Sequence, residues 1–331
     1  MERILITGAS GFIGSFLVEE ALHRGMEVWA AVRKNSSREF LTDKRIHFIE
    51  LNLASEDHLR KQMKDLRFTY VVHSAGVTKC LHAADFHQIN TLGTQHLVRA
   101  LMALDMPLKM FIQMSSLSVY GPVHEQLPYL PIDEHDEPHP NTAYGKSKLE
   151  AERFLESTQG FPYVILRPTG VYGPREHDYF MMAKSIKGHT DFSVGYQRQD
   201  LTFVYVHDVV QATFLALERG KSGRKYFLSD GQVYSSRTFS DLILRELGHP
   251  WCLRIKVPLW VLRAVTFCGE YVGRATGKVS ALNNDKYHIM KQRNWQCDIQ
   301  PAIDELGYQP MFTIEQGVPA TILWYRQHGW L

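Results

Sequence analysis

Tyr144 and Lys148, in the stretch NTAYGKSKLEAERFL, are of types and spacing that could do chemistry. If the stretch is a helix, at about 100° per residue, Tyr144, Lys148, Ala151 and Leu155 share a narrow arc. Lys146, Glu150, Glu152, Arg153 and Glu156 spread over the other side. One lysine is therefore set on the apolar stripe, where it either snorkels past the core edge or points into a site. A phenol one turn from an ammonium can hand its proton to an oxygen that is gaining negative charge, because the cation favours the ionised phenol. A ketone accepting hydride is such an oxygen.

A second group lies in RILITGASGFIGSFLVEEALHRG, where Gly8, Gly11 and Gly14 stand between a strand pattern and a helix pattern. Gly8 suits the tight turn, Gly11 lets a pyrophosphate approach backbone N–H groups, and Gly14 lets helix pack on strand. The glycines matter because of that strand–turn–helix context at the head of an α/β pattern.

The elements that must hold these groups are legible as short apolar runs: RILIT, EVWAAV, IHFIE, YVVHSA, KMFIQMSS and PYVILRP read as six strands separated by stretches of helix length. That alternation implies an α/β fold, a Rossmann-type doubly wound parallel sheet. The stretch LTFVYVHDVVQATFLALE, a strand then a helix, and the strand KYFLSD read as additions to the same sheet. Residues 1–170, joined by 201–230, are thus expected to form the dinucleotide-binding domain. Residues 171–200 and 231–331 are expected to form a smaller, mainly helical C-terminal lobe for substrate.

The chain has 331 residues, 44% hydrophobic, enough for a large core, and a formal net charge of +2 that gives no ground for expecting nucleic acid as partner. Cys80, Cys252, Cys268 and Cys297 lack metal-ligand spacing, and sixteen scattered histidines give no reason to expect a metal. Free thiols and a start without a signal-peptide pattern make the cytoplasm the expected location. The segment KVPLWVLRAVTFCGEYVGRATG is interrupted by Arg263 and Glu270, short of the ~20 apolar residues of a span. It reads as an amphipathic helix that lines a pocket or packs on a partner, in preference to one resting on a membrane surface.

The spacing TGxxGxxG, with YxxxK at Tyr144 and Lys148, resembles the short-chain dehydrogenase/reductase superfamily. MSSLSVYG, HSAG at 73–76, INTLGTQHLV, LRPTGVYGPR and VYVHDVVQA resemble its extended branch, the NAD-dependent epimerase/dehydratase type. The resemblance implies an enzyme with Ser116, Tyr144 and Lys148 as catalytic residues. In it Ser116 steadies the carbonyl, Tyr144 supplies the proton, and Lys148 bridges phenol and nicotinamide ribose. Cofactor contacts are implied for Gly8, Gly11, Phe12, Ile13, Gly14, Arg33, Lys34, Asn52, Leu53, Ala75, Gly76, Tyr144, Lys148, Pro168 and Val171. Asn90 is expected to tie a helix to site backbone, His73 to be a satisfied core histidine, and His207 and Asp208 to cap and begin a helix. Ser118 is expected to face away from Ser116.

Members that bind NAD usually carry an acidic residue at the end of the second strand, whereas EVWAAVRKNSSR places Arg33 and Lys34 there. A guanidinium can fork onto a 2′-phosphate, so NADP is expected, with NAD the alternative. For substrate, the arginine that usually precedes the FxYVxD strand is Leu201, and Thr169–Gly170 stand where an asparagine is usual. RPTGVYGP is similar to the dihydroflavonol reductase and 3β-hydroxysteroid dehydrogenase group. The expected activity is hydride transfer between nicotinamide and a ketone or secondary alcohol on a mainly apolar small molecule, which a lobe rich in aromatics suits. A nucleotide-sugar epimerase or dehydratase, clamping phosphate with Arg175, Arg198 and Arg237, is the alternative. A dinucleotide-binding regulator is a third reading, and a homodimer is left open.

Overall fold

The computed structural model describes residues 2–277, 280 and 282–331. The six apolar runs become β1 (Arg3–Thr7), β2 (Glu27–Val32), β3 (His47–Glu50), β4 (Tyr70–His73), β5 (Met110–Met114) and β6 (Tyr163–Pro168). With the strand Lys225–Leu228 they make a seven-stranded sheet in the order Lys225–Leu228, β6, β5, β4, β1, β2, β3. Every pairing in it is parallel. Because side chains alternate across a strand, Ile4 and Ile6 enter one core while Leu5 enters the other. The first core is closed by helices Phe12–His23 and Val206–Arg219, the second by Glu56–Met63 and Gly93–Ala103. The strand order reverses between β1 and β4, which opens a crevice beyond their C-terminal ends.

The chain departs from the sequence reading after β6. The strand Phe203–Tyr205 does not join the main sheet; it pairs in parallel with Gly170–Tyr172, a separate two-stranded ribbon. The free edge of β6 is already taken by Lys225–Leu228, whose register runs from Ile165 to Pro168, so Phe203–Tyr205 has only the extension past Pro168 to pair with. That ribbon builds a third core. Tyr172, Phe203, Tyr205 and Phe239 meet with ring centroids 4.9–6.4 Å apart, covered by helices His177–Lys187, Thr238–Glu246 and Ile314–Gln327. Many of the C-terminal lobe's aromatics are therefore its own core and not a ligand lining.

Candidate functional site

The glycine turn follows β1 directly. Gly8 has φ +70°, and a Cβ there would lie 2.7 Å from the Ala75 nitrogen. On Gly14 a Cβ would lie 2.0 Å from the Gly8 carbonyl oxygen, so the helix Phe12–His23 touches the turn backbone to backbone. Gly11 occupies the N-cap without a side-chain cap, and no acidic residue stands in the first turn, so Phe12, Ile13 and Gly14 present a positive N–H cluster. This cradle fits a dinucleotide pyrophosphate.

The other expected cofactor residues follow the neighbouring strands on the same edge. Ala75 and Gly76 follow β4, Arg33 and Lys34 follow β2, and Asn52 and Leu53 lie just past β3. Pro168 ends β6, and Val171 sits in the ribbon beyond it. The Ala75 N–H donates to the Thr7 hydroxyl, 3.3 Å away. Arg33 and Lys34 are exposed, and among the described residues neither has a carboxylate partner. The Asn52 side-chain oxygen accepts from the Ala54 N–H at 3.1 Å.

Tyr144 and Lys148 lie on the helix Ala143–Ser157, and Ser116 lies in the turn after β5. Lys148 is buried rather than snorkelling: its Nζ donates to the Met114 carbonyl at 2.8 Å and stands 3.2 Å from where a Gly76 Cβ would be. The Ser116 hydroxyl is near enough to the Tyr144 phenol to lower its proton affinity. Burial pushes that phenol up to about 12, with Ser116 opposing, and Lys148 does not produce the lowering expected of it. Lys148 is itself lowered to about 8 by burial, against the pull of Glu152.

Several neighbours were not legible from their local sequence. Glu152 is fully buried, not on the outer face: it pairs with Arg167 at 2.6 Å and accepts from Ser115. Its signal was the four-residue spacing from Lys148, which sets it beside that lysine's arc, and the arginine inside the apolar run of β6. Asp285 accepts from the N–H groups of Ala143 and Tyr144 at 3.0 and 2.9 Å, so the C-terminal lobe caps the helix that carries the phenol. Ser118 does not face away, since its hydroxyl accepts from Ser116 at 3.2 Å. Asn90 bonds both backbone groups of Val77 and the Ser147 hydroxyl, tying helix to site backbone as expected. It sits where the helix widens to i→i+5 bonding over His87–Leu92. His73 is satisfied by Thr7 and Thr94, and burial lowers it to about 3. Asp208 does stand in the first turn of its helix, but its carboxylate reaches out to the N–H groups of Met311 and Phe312.

The arginines considered for a phosphate clamp are engaged. Arg175 bonds Ser15 and Glu19 and stacks on Phe16 and Phe40; Arg198 bonds Asp200; Arg237 bonds Asp191 and Ser193. A cleft of about 420 Å³ lies against the outer face of the phenol-bearing helix, lined by Lys146, Ser147 and Glu150, and neither Tyr144 nor Lys148 lines it.

The parallel sheet, the glycine cradle and the Ser116–Tyr144–Lys148 group define a dinucleotide-binding protein of the extended short-chain dehydrogenase/reductase type. The model of the NAD-dependent epimerase/dehydratase family matches residues 4–229, and the chain belongs to that family. A 4-hydroxy-2-methyl-3-oxo-4-farnesyl-3,4-dihydroquinoline-1-oxide ketoreductase from Stigmatella aurantiaca is 28% identical over 96% of this chain and 95% of its own. Among solved structures, the UDP-glucose 4-epimerase of Thermotoga maritima with UDP-glucose has a TM-score of 0.80 at 23% identity, covering 98% of this chain and 99% of that one. The dTDP-glucose 4,6-dehydratase of Streptomyces venezuelae with NAD bound has a TM-score of 0.80 at 23% identity, covering 99% and 98%. Those two likenesses are of fold.

Proposed function

We propose that this protein transfers hydride between a nicotinamide dinucleotide and a ketone or secondary alcohol on a mainly apolar small molecule. The observation that carries the substrate class is the engagement of Arg175, Arg198 and Arg237 with carboxylates, together with Leu201 at the usual anchor position. A diphosphate left without paired donors in a pocket would cost several kcal/mol, so a protein built for one keeps cations free for it. The ketoreductase relative, whose substrate carries a farnesyl chain, supports the same reading.

When bound, the dinucleotide supplies or accepts the hydride. Ser116 donates to the carbonyl oxygen, and Tyr144, kept protonated by its burial, delivers the proton to the oxygen as charge builds. Lys148, anchored on the Met114 carbonyl beside Gly76, holds the ribose and stabilises the phenolate left behind. Arg33 and Lys34, without carboxylate partners among the described residues, favour NADP through its 2′-phosphate. The test is absorbance at the reduced-nicotinamide band with a panel of cyclic ketones, steroids and nucleotide sugars, each with NADPH and NADH. Turnover of nucleotide sugars alone would replace this reading with the epimerase or dehydratase one.

A further inference from the structure

The helix Leu259–Thr276 is held to the body of the protein by a narrow stripe, with Leu262, Thr266 and Gly273 as its buried residues. At about 100° per residue, Trp260, Phe267 and Tyr271 fall within about 40° of one another on the opposite side. They are 75%, 73% and 71% exposed. Turning on from them, Val272 and Val265 are also exposed, and an arc of about 160° carries no charged side chain. This face is turned away from the contacts that hold the helix, so of the sequence readings it is open to a partner or a membrane surface and does not line a pocket of the body. At the helix start, Leu259 lies beside Gly195, next to Tyr196, which is exposed beneath the Lys256 ammonium at 5.0 Å.

Charge decides what covers this face. Arg263, Arg274 and Glu270 stand along one edge of the uncharged arc, Arg274 paired with Glu270 and Arg263 without a carboxylate partner among the described residues. Arg263, Lys291 and Lys146 all act on His288, with the Asp285 carboxylate opposing them. The acids nearby are engaged: Glu270 with Arg274 and Asp285 with the Ala143 and Tyr144 N–H groups. An aromatic and valine face with a net basic edge is the composition of a helix lying in a bilayer interface, with Trp and Tyr at headgroup depth and Arg263 on a lipid phosphate. A second copy of the chain fits less well, because one helix face falls short of the roughly 20–30 residues a side of a stable interface. Among the described residues no helix is long and apolar enough to cross a membrane, so contact would be with the surface.

We propose that the face of Trp260, Phe267 and Tyr271 docks this protein on an anionic lipid bilayer surface. The inference is independent of the substrate reading. The test is co-sedimentation of the full chain with vesicles of phosphatidylcholine containing about one-third phosphatidylglycerol, against phosphatidylcholine alone. Binding is expected to be stronger to the anionic vesicles, to weaken with added salt, and to fall by about tenfold for each of Trp260→Asp and Phe267→Asp. The melting temperature of these surface variants should match that of the parent, separating lost docking from lost folding. Absence of vesicle binding, or binding equal in the double variant, overturns the proposal. So does a dimer in sedimentation analysis that the double variant splits, which makes a second copy the occupant.

Discussion

Tyr144 and Lys148 sit one turn apart, yet burial moves their proton affinities in opposite directions, the phenol up to about 12 and the ammonium down to about 8. Tyr144 therefore holds its proton across the working range and can act as the acid. Tyr144→Phe should lower kcat by at least about 100-fold while fluorescence titration finds dinucleotide affinity within a few-fold of the parent. Wild-type kcat in that variant would remove Tyr144 from the mechanism. Lys148 carries the pH dependence: its ammonium is present below about 8 and lost above it, so dinucleotide affinity should be flat in acid and fall as pH rises through about 8. Because the folded value lies below the ordinary 10.5, the unfolded chain holds that proton more tightly. Stability from this group therefore rises with pH from about 8 towards 10.5. An affinity unchanged between pH 7 and pH 9, about a unit either side of that value, would count against Lys148 as the ribose partner. The pair was legible because a lysine on an apolar stripe breaks the pattern of its own helix. Glu152 was not, since its partner Arg167 lies in a different element and only the fold brings them together.

At the scale of elements, the ends of strands carry specificity and the ends of helices carry geometry. The end of β2 presents Arg33 and Lys34 where an acidic residue would select NAD. Arg33→Asp removes a 2′-phosphate partner and supplies a ribose acceptor, so the ratio of NADPH to NADH affinity should invert, read by titration of both. Tighter binding of NADH by the unaltered protein would end the NADP assignment. The helix Ala143–Ser157 begins with two N–H groups donated to Asp285, in addition to the Thr142 cap on Gly145. Asp285→Ala should cost about 1–2 kcal/mol, or about 1.5–3 °C in Tm for a chain of this length, and lower kcat as the backbone of Tyr144 loosens. An unchanged Tm and kcat would leave Asp285 without a positioning role. Nothing in the local sequence marked it, because the contact spans 141 residues. The strand Phe203–Tyr205 was legible as a strand but not in its pairing, since a run of apolar residues does not say which edge is free.

Over the whole molecule, the charge inventory bears on the choice between an apolar ketone and a nucleotide sugar. Folding ties Arg175, Arg198 and Arg237 to Glu19, Asp200 and Asp191, each an ion pair that a diphosphate would have to break. Two lysines are placed differently. Lys79, from the loop after β4, and Lys286, beside Asp285, both pair with Asp178, joining the loop, the helix His177–Lys187 and the C-terminal lobe. One carboxylate shared by two ammonium groups is the weakest hold on cations around this site, so the diphosphate reading turns on whether Lys79 and Lys286 exchange Asp178 for phosphate. Two partly exposed ion pairs are worth about 0–1 kcal/mol each, but an exchange still leaves Asp178 without its partners, and Leu201 offers nothing in their place. UDP added to the NADPH-loaded protein should therefore raise Tm no more than matched phosphate buffer does, whereas a hydrophobic cyclic ketone should raise it in a saturable way. A UDP shift saturating at micromolar concentration, and lost in Lys79→Ala with Lys286→Ala, would assign the site to a nucleotide sugar with those lysines as its clamp.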